Sequence, residues 1–326
     1  MLRMTVIHLE QVIHQVFIDR QTPRTMSANR LAAFATALLT AVLAASAALA
    51  QPSMRPRDVD ALPASTPTLI APYGKDALQF GELRMPAGDG PFPLLIVIHG
   101  GCWTKGFAQA RNTAALASKL TELGIATWNV EYRQVGDTGG GWPGTFQDWA
   151  AATDHVRVLA KSHRLDLTRV AISGHSAGGH AALWVAARHK LGKSSVVRGD
   201  DPLPVQAAIA IDGPGDIAAF VGADAQICGK PVIVPLMGGT PAEQPERYAQ
   251  GSPQALLPIG VPQYLISTRV LPPVDARKYA EIATRAGDRV EVLTPSPAGH
   301  FDIIAPGSQI WPSVEAFMRR AIAAMK

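Results

Sequence analysis

Ser176 occupies the centre of a Gly-x-Ser-x-Gly pentapeptide that spans residues 174–178. An apolar run at 170–172 precedes it, and a run of small and apolar residues at 181–187 follows it. This order predicts a strand that turns sharply into a helix, with the hydroxyl exposed and glycines where a Cβ atom would clash. Such a hydroxyl can attack a carbonyl carbon once a base has taken its proton. The alternative role for Ser176 is a helix cap.

A base for this chemistry is available at His300. This histidine stands in a short loop, rich in proline and glycine, that follows the last predicted strand at 290–293. A loop in this place carries its side chains near the carboxyl edge of the sheet, where Ser176 is also expected. We therefore predict that His300 is the general base for the serine. A hydrogen-bonded structural histidine is the alternative.

The sequence His-Gly-Gly-Cys-Trp at 99–103 directly follows a predicted strand at 94–98. Consecutive glycines allow backbone N–H groups to point into a reaction centre and hold a developing oxyanion. The amide that follows a nucleophilic serine is the usual second donor. A tight exit from the strand is the alternative reading of the glycines. The predicted oxyanion hole consists of the amides of Gly100, Gly101, Cys102 and Ala177.

Strand-like and helix-like stretches alternate along most of the chain. This alternation predicts an α/β fold with a mostly parallel central sheet and helices on both faces. The stretch 213–252 interrupts it, is rich in glycine, proline and alanine, and is predicted to form a small lid excursion over the carboxyl edge of the sheet. The predicted strands lie at 78–84, 94–98, 125–130, 170–173, 205–211, 262–267 and 290–293, and the predicted helices at 108–123, 146–162, 177–189, 274–286 and 313–324.

The N-terminal part of the chain has the features of an export signal. A basic start at Met26, an apolar run and a small-x-small ending at Ala48–Ala50 predict a signal peptide that is cleaved after Ala50. We therefore expect an exported protein, periplasmic or secreted, with no stable membrane span in the mature chain; an uncleaved anchor is the alternative. The expected division is a mis-called N-terminal extension at 1–25, a signal peptide at 26–50, a Pro-rich linker at 51–70 and an α/β domain at 71–326.

Composition narrows the function classes. With 47% hydrophobic and 17% charged residues, the chain can bury a large core and does not resemble a disordered protein. The net charge of +4, without a Lys/Arg run, gives no support for nucleic-acid binding. The histidines and cysteines lack metal-ligand spacing, so we expect neither a metal nor another cofactor. Cys102 and Cys228 could form a disulfide or remain two separate thiols.

These motifs together resemble those of α/β-hydrolases of the esterase group, which includes kynurenine formamidase-like, carboxylesterase and feruloyl-esterase-like enzymes. The resemblance runs from about residue 72 to the C-terminus and implies an α/β-hydrolase fold and serine-dependent hydrolysis without a cofactor. The residues that carry it are His99–Trp103, Glu131–Arg133, Gly141–Pro143, Gly174–Gly179 and Gly299–Phe301.

The chain departs from this family at the acid that should orient the histidine. The family carries an aspartate after the next-to-last strand, but residues 265–273 contain no carboxylate and the loop is shortened. Asp275 is the nearest candidate and our first choice, although an acidic residue is also favoured in the first turn of a helix. Asp212, at the end of the preceding buried strand, is the second candidate, and the absence of a working acid is the third possibility.

We therefore predict an exported serine hydrolase that cleaves a small carboxylic ester through an acyl-enzyme intermediate. The same groups could cleave an amide, as a formamidase or an oligopeptidase-like enzyme does. Without a working acid, the fold could instead serve as a catalytically impaired binding protein.

Overall fold

Eight strands of residues 53–325, the part of the chain that the computed structural model describes, pair into one sheet in the order β1-β2-β4-β3-β5-β6-β7-β8. The pairs β1–β2 and β2–β4 are antiparallel and the other five are parallel. The expected α/β-hydrolase fold, with a mostly parallel sheet, is confirmed. The strands are β1 Leu69–Pro72, β2 Phe80–Arg84, β3 Phe92–Ile98, β4 Ala126–Val130, β5 Leu165–His175, β6 Ala207–Ile211, β7 Gln263–Ile266 and β8 Val290–Leu293.

Apolar side chains on both faces of the sheet explain where the helices pack. The central strands are continuous apolar runs buried on both sides, as parallel strands covered by helices must be. Two clusters of buried residues form, and neighbouring residues of one strand, such as Leu94 and Leu95, belong to different clusters. The helices are α1 Pro56–Asp60, α2 Arg111–Glu122, α3 Gly144–Asp154, α4 Val156–Leu159, α5 Ala177–Ala187, α6 Ile217–Phe220, α7 Ala223–Cys228, α8 Ile233–Met237, α9 Pro245–Gly251, α10 Pro273–Ala286 and α11 Trp311–Ala323.

The register of the parallel strands decides which loops meet. Ile98 at the end of β3 pairs with Gly174 of β5, and His175 of β5 pairs with Ile211 at the end of β6. Ile211 in turn pairs with Ile266 of β7. The loops that follow these four strands therefore leave the sheet side by side at one edge.

The N-terminal segment differs from its prediction where the structure describes it. The predicted extension at 1–25 and signal peptide at 26–50 lie outside the described residues. The predicted linker at 51–70 is corrected, because it contains α1 and the start of β1. Val59 of α1 is only 1% exposed and joins one of the two buried clusters, which explains why this Pro-rich stretch is ordered.

Two other regions refine the expected pattern. The helix predicted at 146–162 is divided into α3 and α4, and the excursion at 213–252 contains four short helices, α6 to α9. Among residues 53–325, no helix combines the length and the apolar character that crossing a membrane requires.

Candidate active site

Ser176 stands between β5 and α5 in a strained conformation, with φ of 57° and ψ of −118°. A non-glycine residue rarely adopts a positive φ unless its surroundings enforce it. Here the Ser176 amide donates to the Ile211 carbonyl at 2.8 Å. A Cβ atom at Gly178 would lie 2.1 Å from the Ile98 carbonyl oxygen, and one at Gly174 would lie 2.0 Å from the Gly178 carbonyl oxygen. The turn therefore requires both glycines, for the steric reason expected from the sequence.

The segment 99–104 after β3, which we call the glycine loop, lies against this turn. A Cβ atom at Gly100 would be 2.9 Å from the Ser176 Cβ atom. The next residues of the loop, Gly101, Cys102 and Trp103, all have positive φ, at 107°, 52° and 53°. Within residues 53–325, the amides of Gly100, Gly101 and Cys102 donate to no protein acceptor. The Ala177 amide belongs to the first turn of α5, whose N–H groups have no partner within the helix.

A buried pair of side chains, His99 and Glu131, forms hydrogen bonds that support the glycine loop. His99 Nδ1 donates to the Gly100 carbonyl at 2.7 Å, and His99 Nε2 contacts Glu131 Oε1 at 2.9 Å. Burial acts to raise the pKa of Glu131, but His99 and the amides of Ala110 and Tyr132 hold that pKa below its ordinary value. Glu131 therefore remains an ionised acceptor beside the imidazole. The imidazole also stacks on Tyr132, with the ring centroids 4.4 Å apart.

The structure brings His300 to Asp212. His300 Nδ1 lies 2.6 Å from Asp212 Oδ2. This bond fixes the proton on Nδ1 and leaves Nε2 unprotonated in the neutral ring. Within residues 53–325, no hydrogen bond joins Ser176 Oγ to His300 Nε2, and such bonds are often long before substrate binds.

The Asp212 carboxylate is held by the loop that follows β7. It accepts hydrogen bonds from four consecutive amides and from the Thr268 hydroxyl. Burial opposes ionisation, but His300, Thr268 and the Leu271 amide hold the pKa of Asp212 well below its ordinary value. The aspartate therefore remains charged next to the imidazole. The four amides belong to Thr268, Arg269, Val270 and Leu271.

Asp275, our first choice for the acid, does not reach His300. It lies in the first turn of α10 and borders a cavity, and no hydrogen bond or ion pair joins it to His300 within the described residues. The structure therefore contradicts the choice of Asp275 and places Asp212, the second candidate, against His300. The loop where the family carries its aspartate instead supplies amides to the carboxylate at the end of the neighbouring strand.

His175 is a contact of His300 that the sequence analysis missed. Its Nε2 donates to the His300 carbonyl at 2.8 Å, and the two ring centroids are 4.3 Å apart. Burial, together with repulsion from His300, lowers the pKa of His175 to about 3, so its ring is neutral. Because His175 directly precedes Ser176, it ties the His300 backbone to the serine turn. In the sequence, only the position of His175 within the Gly-x-Ser-x-Gly motif indicated that it lies near the site.

Cys102 and Cys228 form a disulfide, with their Cα atoms 6.1 Å apart. This resolves the alternatives that the sequence left open. The bond joins the glycine loop to α7 of the excursion. No cluster of three or more His, Cys, Asp or Glu side chains within residues 53–325 is arranged to hold a metal ion.

A cavity of about 370 Å³ lies between the excursion and the start of α10. Its volume falls at the lower end of the range for small-molecule pockets. Val270 and Leu271, which donate to Asp212, form part of one wall, while Phe220, which packs on Trp103 of the glycine loop, belongs to another. The lining residues are Pro214, Gly215, Asp216, Ala219, Phe220, Ala223, Ile227, Gln254, Val270, Leu271, Pro272, Asp275, Lys278 and Tyr279.

Solved structures of esterases share this fold. Esterase B from Lactobacillus rhamnosis is 18% identical, with a TM-score of 0.68 over 89% of this chain and 94% of that one. A truncated carbohydrate esterase from gut microbiota is 20% identical, with a TM-score of 0.64 over 78% of this chain and 97% of that one. A butyrate-bound esterase from Thermogutta terrifontis is 20% identical, with a TM-score of 0.59 over 78% and 91%.

Among curated proteins, none matches the sequence of this chain. The sequence model of the BD-FAE family matches residues 82–268, which is more than half of the chain. The matched region includes the glycine loop, the serine turn and Asp212, while His300 follows it. The chain therefore belongs to the BD-FAE family, an esterase family of the α/β-hydrolase type.

Proposed function

We propose that this protein is an exported serine esterase that hydrolyses small carboxylic esters. Ser176 is the nucleophile, His300 the general base and Asp212 the acid that orients the imidazole. The amides of the glycine loop and of Ala177 form the oxyanion hole. The observation that carries the proposal is the 2.6 Å contact of His300 Nδ1 with Asp212, at the edge of the sheet where Ser176 stands beside amides that have no acceptor in the described part of the chain.

The first half of the proposed reaction transfers the acyl group to the enzyme. His300 Nε2 takes the Ser176 proton as Oγ attacks the ester carbonyl, and the carbonyl oxygen becomes an oxyanion. Asp212 stabilises the imidazolium that forms without itself taking a proton. The tetrahedral intermediate collapses when the C–O bond to the alcohol breaks. His300 returns the proton to the departing alkoxide, so that the alcohol leaves and an acyl-serine remains.

The second half releases the acid. His300 removes a proton from water, and the hydroxide attacks the acyl-serine carbonyl. The second tetrahedral intermediate uses the same amides, and its collapse returns the proton to Ser176 Oγ. Water is therefore consumed, and one carboxylic acid and one alcohol are produced for each ester.

The structure and the relatives support a small substrate. The cavity between the excursion and α10 has a volume of about 370 Å³, enough for a short acyl or alcohol group. One structural neighbour is described as bound to butyrate and another as a carbohydrate esterase. Export is supported by the N-terminal pattern and by the disulfide, since disulfides persist in oxidising compartments.

A fluorophosphonate probe, which reacts with activated serines, tests this proposal. We expect the wild type to be labelled and Ser176→Ala to be unlabelled. Ser173→Ala is the matched control, because Ser173 is buried in β5 and its hydroxyl has no hydrogen-bond partner in the described chain. Absence of labelling in the wild type would favour a binding protein and contradict the proposal.

Turnover separates the two hydrolase classes. A panel of p-nitrophenyl acetate, butyrate and octanoate, feruloyl and acetylated sugar esters, and N-formylkynurenine compares ester with amide cleavage. We expect the highest kcat/KM with a short-chain ester. Preferential cleavage of the formamide would replace the esterase assignment by the amidase alternative. N-terminal sequencing of the exported protein tests the proposed export. We expect the protein in the periplasm or the medium, with a sequence that starts near Gln51.

A further inference from the structure

Cys102 contributes its backbone to the glycine loop and its side chain to the disulfide. Its backbone amide donates to no acceptor among residues 53–325, and its sulfur is bonded to Cys228 of α7. The two cysteines are separated by 126 residues of sequence, so the bond joins distant parts of the chain. A displacement of the Cys102 backbone would therefore move a proposed oxyanion-hole donor directly.

The backbone of the glycine loop needs external support. Cys102 and Trp103 both have positive φ, a conformation that is unfavourable for residues with a Cβ atom. On its inner side the loop is held by the hydrogen bonds of His99 and by Trp103 Nε1, which donates to His180 at 3.3 Å. On the side of the excursion, Cys228 is its only covalent anchor within residues 53–325.

The other end of the disulfide is itself held firmly. Asp224 of α7 is 1% exposed and its carboxylate accepts four backbone hydrogen bonds of 2.7–2.9 Å, which fold the α7 segment around it. The four donors are the amides of Gly222, Ala225, Val232 and Ile233. Cys228 therefore offers the glycine loop a fixed attachment point.

Two noncovalent contacts join the same two segments as the disulfide, the excursion and the segment after β3. Phe220 packs edge-on against Trp103, with the centroids 6.2 Å apart. Lys230 Nζ lies 5.5 Å from the centroid of the Phe107 ring. Phe107 is 42% exposed, so this contact is weak. The disulfide is the strongest link between the two segments.

We infer that the Cys102–Cys228 disulfide is a positioning device for catalysis, which holds the Cys102 amide in the oxyanion hole by tying the glycine loop to α7. This inference rests on the proposed esterase function. A bond that merely stabilised the fold would change the melting temperature and leave the turnover of the folded enzyme unchanged. A positioning bond has a different effect, because a misplaced oxyanion donor raises the energy of the transition state more than that of bound substrate.

Cys228→Ser tests the inference while leaving the Cys102 amide in place. Removal of one oxyanion donor costs about 100-fold in kcat or more, so loosening one should lower kcat about tenfold, with KM changed less than about twofold. The Ki of a trifluoromethyl ketone, which forms a tetrahedral oxyanion on the serine, should rise by a similar factor. Val314→Ala in α11 is the control: it removes buried apolar contacts elsewhere, so it should lower the melting temperature and leave kcat unchanged.

Reduction of the folded wild type provides a test that does not depend on the folding of a variant. Dithiothreitol breaks the S–S bond, leaves two thiols and is itself oxidised to the cyclic disulfide. We expect kcat to fall about tenfold in step with thiol release and to recover after reoxidation with glutathione disulfide. Amide hydrogen exchange at 99–104 should become faster, whereas Cys228→Ser should not respond to the reductant.

The outcomes separate the inference from the function on which it rests. If the wild type hydrolyses esters and neither Cys228→Ser nor reduction changes kcat, the positioning role is wrong and the esterase assignment stands. An equal loss of kcat in Val314→Ala and in Cys228→Ser would likewise contradict the positioning role, because it would show that the disulfide only stabilises the fold. A wild type that turns over no ester and does not react with fluorophosphonate would overturn both.

Discussion

Glu131 and His99 form a buried hydrogen-bonded pair, with 2.9 Å between Oε1 and Nε2, next to the glycine loop that lies against the Ser176 turn. Their side chains are 3% and 0% exposed, so water cannot replace either partner. Glu131 thereby holds the imidazole whose other nitrogen supports the Gly100 carbonyl. The pair connects the end of β4 to the glycine loop after β3.

Glu131→Gln should weaken this support. The amide keeps the shape of the side chain but removes the charge, and a hydrogen bond to a charged group contributes about 1.5–3 kcal/mol. We expect the free energy of unfolding to fall by about this amount and kcat to fall about tenfold, since the loop carries the proposed oxyanion donors. Urea unfolding and ester turnover measure the two effects. Glu122→Gln is the control, because Glu122 is exposed and forms a surface ion pair with Lys119. Equal effects of the two variants would contradict the prediction.

Asp212→Asn should be far more damaging to turnover than Asp275→Asn. Replacing the triad acid by its amide lowers kcat by about four orders of magnitude, because the histidine loses the acceptor that selects its tautomer. Asp275 borders the cavity without contacting His300, so its replacement can alter KM but should change kcat less than about threefold. Steady-state kinetics with a p-nitrophenyl ester, supported by circular dichroism, decide between them. The reverse ranking would restore Asp275 as the acid.

His180 should make stability depend on pH. Trp103 Nε1 donates to its Nδ1 and its own Nε2 donates to the Gly251 carbonyl, so the buried ring has no room for a second proton. Burial lowers the pKa of His180 from 6.5 to about 4. The unfolded chain binds a proton at this residue below pH 6.5, whereas the folded chain does not until about pH 4. The stability that this neutral histidine contributes is therefore lost as pH falls through that window, by about 2 kcal/mol between pH 7 and pH 5.

Urea unfolding of His180→Gln at the two pH values measures this contribution. Glutamine supplies one acceptor and one donor but does not titrate, so the loss of stability between pH 7 and pH 5 should be smaller than in the wild type by about 2 kcal/mol. His175, whose pKa is also lowered, leaves a residual pH dependence in both proteins. Exposed His189 provides the control variant His189→Gln. An unchanged pH dependence in His180→Gln would show that the ring is not held neutral.

Ala219→Trp tests whether the cavity binds part of the substrate. Ala219 lies on the cavity wall in α6 and is exposed, so an indole there can extend into the cavity without disturbing the buried clusters. We expect kcat/KM for p-nitrophenyl octanoate to fall about tenfold, while the value for the acetate changes less than about twofold. Val158→Trp, at an exposed position on α4, is the control. Equal loss for both esters would place acyl recognition elsewhere.

Local sequence patterns were sufficient to predict most of the strands and the turn at Ser176. The glycines around Ser176 are explained by close contacts of the turn with itself and with the end of β3, and the apolar runs became strands buried on both faces. Packing contacts limited the predictions for other regions. Val59 orders a Pro-rich stretch by entering a cluster formed by distant residues, and no local periodicity reports such a contact.

The sequence by itself determined the chemical groups and the edge of the sheet at which they meet, because strand period, turn sterics and motif spacing are local properties of the chain. Only the tertiary structure decided that Asp212 rather than Asp275 contacts His300, and that Cys102 is bonded to Cys228. Both results depend on distances between segments far apart in the chain. The order of the strands and the hydrogen-bond register between them set these distances, and that register becomes defined only when the whole sheet forms.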